Sequence, residues 1–310
     1  MPLSDLRKKD LYNQGYRLVG NHSAIKVCEW CKKSIRGQSF CYKQKFYGIN
    51  SHQCVQMTPA LHTCTHRCFF CWRDIGFTNP KWTGPVDNPK DIVDGCIKEH
   101  VKYLQGFGGS KNADKKKFSD ALMPKHFAIS LSGEPTFYAK LPELIDEIHK
   151  RKMTSFLVTN GTNPAMLKRL IKHQPTQLYI TLPAPNEDIY KKICNPLIKG
   201  GWKKILQSLK LLNGFSCRKA VRLTLVKNEN LCNVEDYAKI IKETSADFFE
   251  FKAYMWVGYS KKRCNIENMP RYEEIRDFAE KVAKLAGLKV IDEKKESRVV
   301  LVGKNKIKLL

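Results

Sequence analysis

Three cysteines lie close together in the motif Cys64-Thr-His-Arg-Cys68-Phe-Phe-Cys71, directly after a run typical of a β-strand, Val55–Leu61. A cubane iron–sulfur cluster needs thiolates on different corners, so its ligands come from a curling loop rather than one helix face. Three local thiolates leave one iron open to a further ligand. Zinc sites more often pair one CxxC with another. The spacing therefore predicts a [4Fe-4S] cluster held by Cys64, Cys68 and Cys71; a zinc knuckle or unrelated buried thiols are the alternatives.

A second group of cysteines precedes this loop. Cys28, Cys41 and Cys54 are evenly spaced, and Cys31 adds a fourth thiol within Cys-Glu-Trp-Cys. All four could close a zinc site, or the thiols could be purely structural. The third interpretation is a second cluster with an open iron, which requires that Cys31 is not a ligand. These three alternatives stay open on spacing alone.

Composition indicates a globular protein in a reducing compartment. The 310 residues are 42% hydrophobic, without a long apolar span or an apolar signal core near Met1. Twelve cysteines in such a chain indicate metal ligation rather than disulfides. We expect a cytoplasmic protein with no membrane partner.

The charge of the chain favours a polyanionic partner. Lysine and arginine number 55 against 30 acidic residues, a formal net charge of +25. Neutralising phosphates releases condensed counterions, so such a surface suits nucleic acid. A lysine-rich proteome is the alternative explanation. The basic loop Gly106–Lys117 is a candidate for backbone contact or a solvated insertion.

Strand-like and helix-like segments alternate through the centre of the chain, which is typical of a parallel sheet with right-handed crossovers. The strand-like runs are residues 55–61, 126–131, 155–159, 177–182, 220–226 and 248–253. This pattern predicts an α/β fold, a partial (βα)6 TIM-like barrel whose active site lies at the carboxyl ends of the strands.

Segments with other patterns flank the barrel. Residues 4–25 are expected to form a polar helix or arm, and a helix is expected over 271–286. Apolar runs at 288–291, 298–302 and 306–309 predict an antiparallel extension. We therefore divide the chain into an N-terminal arm with the cysteine-rich segment (1–54), the barrel (55–253) and a C-terminal extension (254–310).

Polar residues follow the second, third and fourth predicted strands. Ser132-Gly133-Glu134 offers a glycine for close approach of the backbone and a carboxylate that accepts hydrogen bonds from an ammonium group. Asn160 supplies a donor and an acceptor, and Thr181 a hydroxyl. These loops are expected to complete a cofactor pocket, with ordinary turns as the alternative.

The cysteine motif, with the aromatic Phe70 before its last cysteine, resembles the radical S-adenosylmethionine superfamily. Ser132–Glu134 resembles the superfamily's GGEP-type motif, which receives the amino group of S-adenosylmethionine; Ser132 replaces the first glycine. Two cysteine trios, Trp72-Arg73, the basic charge and the segment Tyr42–Tyr47 together resemble the archaeal tRNA 4-demethylwyosine synthases.

This resemblance implies a radical S-adenosylmethionine barrel with two [4Fe-4S] clusters and S-adenosyl-L-methionine. The activity implied is that of a carbon–carbon lyase, the condensation of pyruvate with N1-methylguanosine-37 in the anticodon loop of tRNA(Phe). By the same resemblance, Cys28, Cys41 and Cys54 would hold the second cluster, whose open iron would bind pyruvate. Lys43 would form a Schiff base with pyruvate, with Lys45 as a rival.

Two further partners follow from the resemblance. An external electron donor is implied, and the basic runs Lys111–Lys117 and Lys261–Arg263 are candidates for contact with the tRNA backbone. Two other classes stay open. One is a radical enzyme with an auxiliary cluster that acts on a peptide or small molecule, and the other is a zinc-containing RNA-binding protein.

Overall fold

A computed structural model describes residues 4–305 of the chain. Its strands form one mixed sheet in the order β1-β2-β3-β4-β5-β6-β7-β8-β10-β9. The strands are β1 Arg17–Val19, β2 Ser23–Ile25, β3 Cys54–Thr58, β4 His126–Ile129, β5 Thr154–Thr159, β6 Gln177–Thr181, β7 Arg218–Leu225, β8 Phe248–Ala253, β9 Lys289–Lys294 and β10 Val299–Gly303. The α-helices are α1 Asp5–Asn13, α2 Glu29–Ile35, α3 Tyr42–Tyr47, α4 Pro89–Leu104, α5 Lys115–Ala121, α6 Leu141–Lys150, α7 Pro164–Leu170, α8 Glu187–Cys194, α9 Gly201–Lys210, α10 Val234–Lys242 and α11 Tyr272–Ala286.

Six neighbouring strands, β3 to β8, are parallel and follow one another in chain order. The connections between them carry helices, so the predicted partial (βα)6 barrel is confirmed. The antiparallel extension is also confirmed, because β10 pairs with β8 and β9 with β10. The third predicted strand of that extension, residues 306–309, lies outside the described residues.

The prediction of a helix or arm over residues 4–25 is wrong for its second half. Helix α1 ends at Asn13, and β1 and β2 form an antiparallel hairpin. Gly20, with φ +58°, lies in the turn between them. Strand β2 then pairs with β3, so the arm extends the barrel sheet. The division at residue 54 therefore does not interrupt the sheet, and the domain boundaries stay a prediction.

The predicted basic loop Gly106–Lys117 is partly helical. Its last three lysines form the first turn of α5, where Asp114 caps the helix by accepting from the Lys117 amide at 3.0 Å. Helix α4 begins at Pro89, which occupies its first turn, and Asn88 caps it.

The two faces of the barrel strands pack against different elements. Leu157, Leu178 and Val221 belong to the large core beneath the outer helices. The alternate residues Phe156 and Tyr179 pack instead with α3. Aromatic residues of α3, chiefly Phe46 and Tyr47, are fully buried there. Helix α3 thus fills part of the barrel interior and brings Cys41 and Lys43 with it.

Over residues 4–305, every helix is too short or too polar to cross a bilayer.

Candidate active site

The two cysteine trios line adjoining cavities in the barrel. A cavity of about 430 Å³ is lined by Cys28, Cys41 and Cys54. A smaller one, of about 240 Å³, is lined by Cys64 together with Cys68 and Cys71. Residues common to both cavities include Cys68, Phe70, Cys71, Trp72, Ser130, Arg222 and Thr224. The structure therefore brings the two predicted cluster sites face to face.

The CxxxCxxC loop is held by hydrogen bonds from its own backbone and from a distant arginine. The Cys71 amide donates to the Cys68 carbonyl at 3.0 Å. Arg263 donates through Nε to the Phe69 carbonyl at 3.0 Å and through Nη2 to the carbonyls of Cys71 and Arg73. Arg263, predicted as a candidate for RNA backbone contact, is thus occupied inside the protein.

Arg73 supplies the positive charge next to Cys64, Cys68 and Cys71, which are called the first trio below. It is 7% exposed. Although burial opposes this, the thiols of Cys64, Cys71 and Cys68 hold the pKa of Arg73 above its usual value. Three thiols around one buried cation suit an iron–sulfur cluster, because the arginine offsets the negative charge of the ligating thiolates.

The second trio also has the donor set for a cluster. Burial and the neighbouring Cys41 thiol raise the pKa of Cys28 to about 11. Burial and Cys28 likewise raise the pKa of Cys54. Cys31 does not line the cavity: it is fully buried, and its thiol donates to the His52 carbonyl at 3.7 Å. Burial, and next the neighbouring thiols of Cys28 and Cys54, raise the pKa of Cys31. The three thiols that line the cavity fit a cluster with an open iron, and a four-cysteine zinc site stays the alternative.

One further group of metal-ligand types lies beside the first trio. Ligand atoms of His66, Cys68 and Cys194 are within 4.8 Å of one another. A hydrogen bond that the Cys68 thiol donates to Cys194 is the largest cause of the raised pKa of Cys68. Because Cys68 also belongs to the CxxxCxxC motif, this group overlaps the predicted cluster site.

Five of the six residues expected to hold S-adenosylmethionine line the smaller cavity. They are Phe70, Ser132, Gly133, Asn160 and Thr181; the sixth, Glu134, does not line it. Gly133 has φ +69°, and a Cβ there would lie 1.7 Å from the Ala60 carbonyl oxygen, so only glycine fits. The Asn160 amide group donates to Thr65 Oγ1 at 3.0 Å and to Cys64 Sγ at 3.8 Å.

Glu134 has a different position from the one expected. Its side chain is 1% exposed and is not part of the cavity lining. The carboxylate accepts hydrogen bonds from the Thr136 hydroxyl, the Thr159 hydroxyl and the backbone N–H of Asn160, each at 2.6 Å. Burial nevertheless raises its pKa. Glu134 therefore organises the strand-end loops around the cavity, and its direct contact with the cofactor stays a prediction.

Lys43 and Lys45 lie in different surroundings. Lys43 is 7% exposed, lines the larger cavity, and points its Nζ at the rings of Tyr179 and Phe156, 4.7 and 5.2 Å from their centroids. Burial, and next the charge of Arg222, lower its pKa. Lys45 Nζ instead contacts Asp292 at 2.7 Å, and its side chain is 43% exposed. Of the two rivals, only Lys43 reaches the cavity.

A buried ion pair lies beneath Lys43. Glu250 is fully buried and accepts from Arg222 Nε at 3.0 Å, from Tyr47 Oη at 2.7 Å and from Tyr42 Oη at 3.0 Å. Arg222 and Lys43 hold the pKa of Glu250 below its usual value against the effect of burial. Lys252 also lines the cavity; burial, and then Arg222, lower its pKa to about 8.

Sequence reasoning did not single out Arg222 or Glu250. Both lie in buried strands, within Ala-Val-Arg-Leu-Thr-Leu and Phe-Phe-Glu-Phe. Charges inside strands that are otherwise apolar are costly unless paired, and that was the signal available in the sequence.

Comparison with known proteins agrees with this geometry. The model of the radical S-adenosylmethionine superfamily matches residues 59–241, and a family described as wyosine base formation matches residues 243–304. The chain is 48% identical to the S-adenosyl-L-methionine-dependent tRNA 4-demethylwyosine synthase of Pyrococcus abyssi, over 95% of this chain and 87% of the relative. It is 38% identical to the protein of the same name from Methanocaldococcus jannaschii, over 95% of this chain and 94% of the relative.

A solved structure of TYW1 with a lysine–pyruvate adduct bound has the same overall fold. It aligns with a TM-score of 0.88 at 35% identity, over 98% of this chain and 97% of that chain. The parallel barrel and the cysteine loop thus define a radical S-adenosylmethionine superfamily protein. Within that superfamily, the chain belongs to the tRNA 4-demethylwyosine synthases. The resemblance inferred from the two cysteine trios is confirmed.

Proposed function

We propose that this chain condenses pyruvate with N1-methylguanosine-37 of tRNA(Phe) to form the tricyclic precursor of the wyosine base, as a carbon–carbon lyase. One observation carries the proposal: Lys43 and the Cys28, Cys41 and Cys54 thiols share a cavity that adjoins the CxxxCxxC loop. The names of the relatives and the lysine–pyruvate adduct of the structural neighbour support the same reaction.

Cys64, Cys68 and Cys71 would hold one [4Fe-4S] cluster, and Cys28, Cys41 and Cys54 a second. When bound, the clusters and S-adenosyl-L-methionine supply reductive cleavage and a radical that abstracts hydrogen from the N-methyl group. The residues that would orient S-adenosylmethionine are Phe70, Ser132, Gly133, Asn160 and Thr181, which line the smaller cavity, and Glu134 behind them.

Lys43 would bind the co-substrate covalently. Its amine attacks the ketone carbon of pyruvate, and loss of water leaves a carbon–nitrogen double bond. Among the described residues the Lys43 amine makes no hydrogen bond and no close ion pair; it lies over the rings of Tyr179 and Phe156, and Glu250 acts on it at longer range. Closely packed aromatic walls would also exclude water that hydrolyses the adduct.

The opening of the larger cavity has the character of a nucleic-acid surface. We define the rim as Trp30, Trp72, Met255 and Val257, which all line the cavity. Met255 and Val257 are 36% and 47% exposed, so the cavity opens on this side. Lys33 lies over the ring of Trp30, 5.2 Å from its centroid, and Lys26 over that of Trp72, 4.8 Å from its centroid.

Aromatic side chains flanked by lysines suit a base splayed from an anticodon loop, because the rings stack on the base and the lysines pair with phosphates. Lys261, which lies over Trp256 beside the rim, belongs to the same surface. We further propose a cytoplasmic location and an external electron donor for the clusters.

Anaerobic quantification of iron and sulfide, with electron paramagnetic resonance, tests this assignment. The intact chain should hold about two cubanes, and a Cys28/Cys41/Cys54→Ala variant about one that still cleaves S-adenosylmethionine. The intact chain should also convert N1-methylguanosine-containing tRNA to the tricyclic base only when pyruvate is added. One cubane together with zinc in the intact chain, or turnover without tRNA, would contradict the proposal.

A further inference from the structure

Arg222 is the charged side chain that lies between the two cysteine trios. It projects from β7 and lines both the larger and the smaller cavity. Its side chain is 16% exposed, so the guanidinium reaches the cavities from a mostly buried position. Burial opposes its charge, but Tyr42 and Glu250 hold the pKa of Arg222 well above its usual value. A permanent positive charge therefore faces the space between Lys43 and the CxxxCxxC loop.

Two protein groups fix the orientation of this guanidinium. Nε donates to Glu250 Oε2 at 3.0 Å, and Nη2 donates to Tyr42 Oη at 2.8 Å. Arginine has five N–H donors in a planar fork. Within residues 4–305, Nη1 has no acceptor. Its two N–H groups and the second N–H of Nη2 are thus available, in the geometry that binds a carboxylate through two parallel hydrogen bonds.

Arg222 and Lys43 lie beside the same aromatic ring. The guanidinium carbon of Arg222 and the Nζ of Lys43 are each 4.7 Å from the centroid of the Tyr179 ring. The two groups are therefore no more than twice that distance apart. Both side chains line the larger cavity, and the charge of Arg222 acts on the Lys43 amine. A 2-oxo acid bound there with its ketone at Lys43 would have its carboxylate on the side of Arg222.

The larger cavity is lined by basic side chains, which can attract an anion. Its lining includes the basic side chains of Lys43, Arg222 and Lys252. Glu250 is fully buried beneath them and already accepts three hydrogen bonds. Lys252 donates to the Ser297 carbonyl at 3.0 Å, so its ammonium group already has a partner within the protein. Among the described residues that line this cavity, Arg222 is the cation with unused N–H donors, which suit a carboxylate.

We propose that Arg222 binds the carboxylate of the 2-oxo acid and thereby selects 2-oxo acids over neutral ketones at Lys43. Glu250 and Tyr42 are positioning residues that hold the free edge of the guanidinium towards the substrate. This inference rests on the proposed reaction of Lys43 with pyruvate. S-adenosylmethionine also carries a carboxylate, and Arg222 lines the smaller cavity too, so the test separates the two sources.

The test compares two ligands that differ in charge. Cluster-loaded protein is incubated anaerobically with pyruvate or with pyruvamide, its neutral amide, and the lysine adduct is trapped with cyanoborohydride and counted by intact mass. For Arg222→Gln, the half-saturating pyruvate concentration should rise about tenfold to a hundredfold, as expected for a lost charge-assisted hydrogen-bond pair. The half-saturating pyruvamide concentration should change less than about threefold, because that ligand has no charge to lose.

Three further variants keep the result interpretable. Arg222→Lys retains the charge and should lose less than Arg222→Gln. An Arg222→Gln/Glu250→Gln pair removes the stranded buried carboxylate, and its selective loss of pyruvate should persist if folding is not the cause. Lys252→Gln removes the other cation of the cavity and should not produce the selective loss. S-adenosylmethionine binding, followed by equilibrium dialysis, should stay within about threefold in every variant.

Several outcomes would overturn the assignment. Equal losses for pyruvate and pyruvamide would mean that Arg222 only supports Glu250 and Tyr42. A selective loss in Lys252→Gln instead of Arg222→Gln would move the anion site to Lys252. Weaker S-adenosylmethionine binding with unchanged pyruvate trapping would give Arg222 to the other carboxylate. No adduct in the unmodified, cluster-loaded protein would overturn the proposed function itself, together with this inference.

Discussion

Lys43 and Lys45 lie two residues apart on α3, yet their amines have opposite surroundings. Lys43 Nζ is 4.7 Å from the Tyr179 ring centroid inside the barrel, and Lys45 Nζ is 2.7 Å from Asp292 on β9. The helix is anchored by Phe46 and Tyr47, which are fully buried, and this fixes which face turns inwards. The protein thus has one buried and one partly exposed amine on a single helical turn.

Replacing Lys43 by arginine should abolish the trapped pyruvate adduct. Arginine keeps the positive charge but does not form a Schiff base, so the loss should be at least about a hundredfold in adduct yield. The measurement is borohydride trapping followed by peptide mass mapping. Lys45→Arg is the matched control and should retain the adduct, because that side chain pairs with Asp292 outside the cavity. An adduct that maps to Lys45 or Lys252 would contradict the assignment.

Arg263→Gln should weaken the CxxxCxxC loop. The variant loses charge-assisted hydrogen bonds to the carbonyls of Phe69, Cys71 and Arg73. We expect a fall of about 2 kcal/mol in the free energy of unfolding, within the range for hydrogen bonds to charged groups. Mild chelation should remove iron from the cluster of Cys64, Cys68 and Cys71 in this variant. The measurements are electron paramagnetic resonance and S-adenosylmethionine cleavage.

Lys262→Gln is the control for that experiment. Lys262 is exposed, and its amine lies over the Tyr259 ring rather than against the CxxxCxxC loop. Its iron retention should match that of the unmodified chain. If both variants keep their iron equally well, the carbonyl contacts of Arg263 do not stabilise the loop.

His100 should make the protein less stable in mild acid. It is fully buried on α4, both ring nitrogens lack a partner among residues 4–305, and burial lowers its pKa to about 4. Because the unfolded histidine binds a proton near pH 6.5 and the folded one does not, stability falls as pH drops from 6.5 towards 4.

Between pH 7.5 and 5, this histidine should cost about 2 kcal/mol. A His100→Leu variant should lose that much less stability than the unmodified chain over the same interval, measured by urea unfolding at both pH values. Parallel pH profiles for the two proteins would show that His100 is not the source of the acid sensitivity.

Charge reversal of the lysines beside the rim should weaken tRNA binding. A Lys33→Glu/Lys261→Glu variant should raise the tRNA dissociation constant at least about tenfold and lower the slope of log affinity against log salt by about two. S-adenosylmethionine cleavage without tRNA should be unchanged. Lys239→Glu/Lys242→Glu, on exposed positions of α10, is the control with the same change in net charge.

The lysines at the start of α5 form a separate candidate surface, and Lys115→Glu/Lys116→Glu tests it in the same salt series. An unchanged dissociation constant across that series would remove α5 from the tRNA footprint. If the α10 control weakens binding as much as the rim variant, then net charge rather than the rim explains the affinity.

Much of the fold was readable from local pattern. Strand runs such as Ser155–Thr159 and Gln177–Leu182 predicted the parallel strands within one or two residues, since buried strands have dense apolar sequences bounded by turns. The hairpin at Arg17–Ile25 was missed because its strands are three residues each and gain stability only by pairing with β3.

The sequence by itself identified the two cysteine trios as candidate cluster ligands, because cluster ligation depends on thiols at short, fixed spacing within loops. Only the tertiary structure decided which of the nearby residues belong to the site. Cys28 and Lys43 line the larger cavity, whereas Cys31, Lys45 and Glu134 do not line either cavity, and Arg222 lines both. The physical reason is that ligand spacing is a local property of the chain. Burial, side-chain direction and the pairing of Arg222 with Glu250 depend on contacts between strands and helices far apart in sequence.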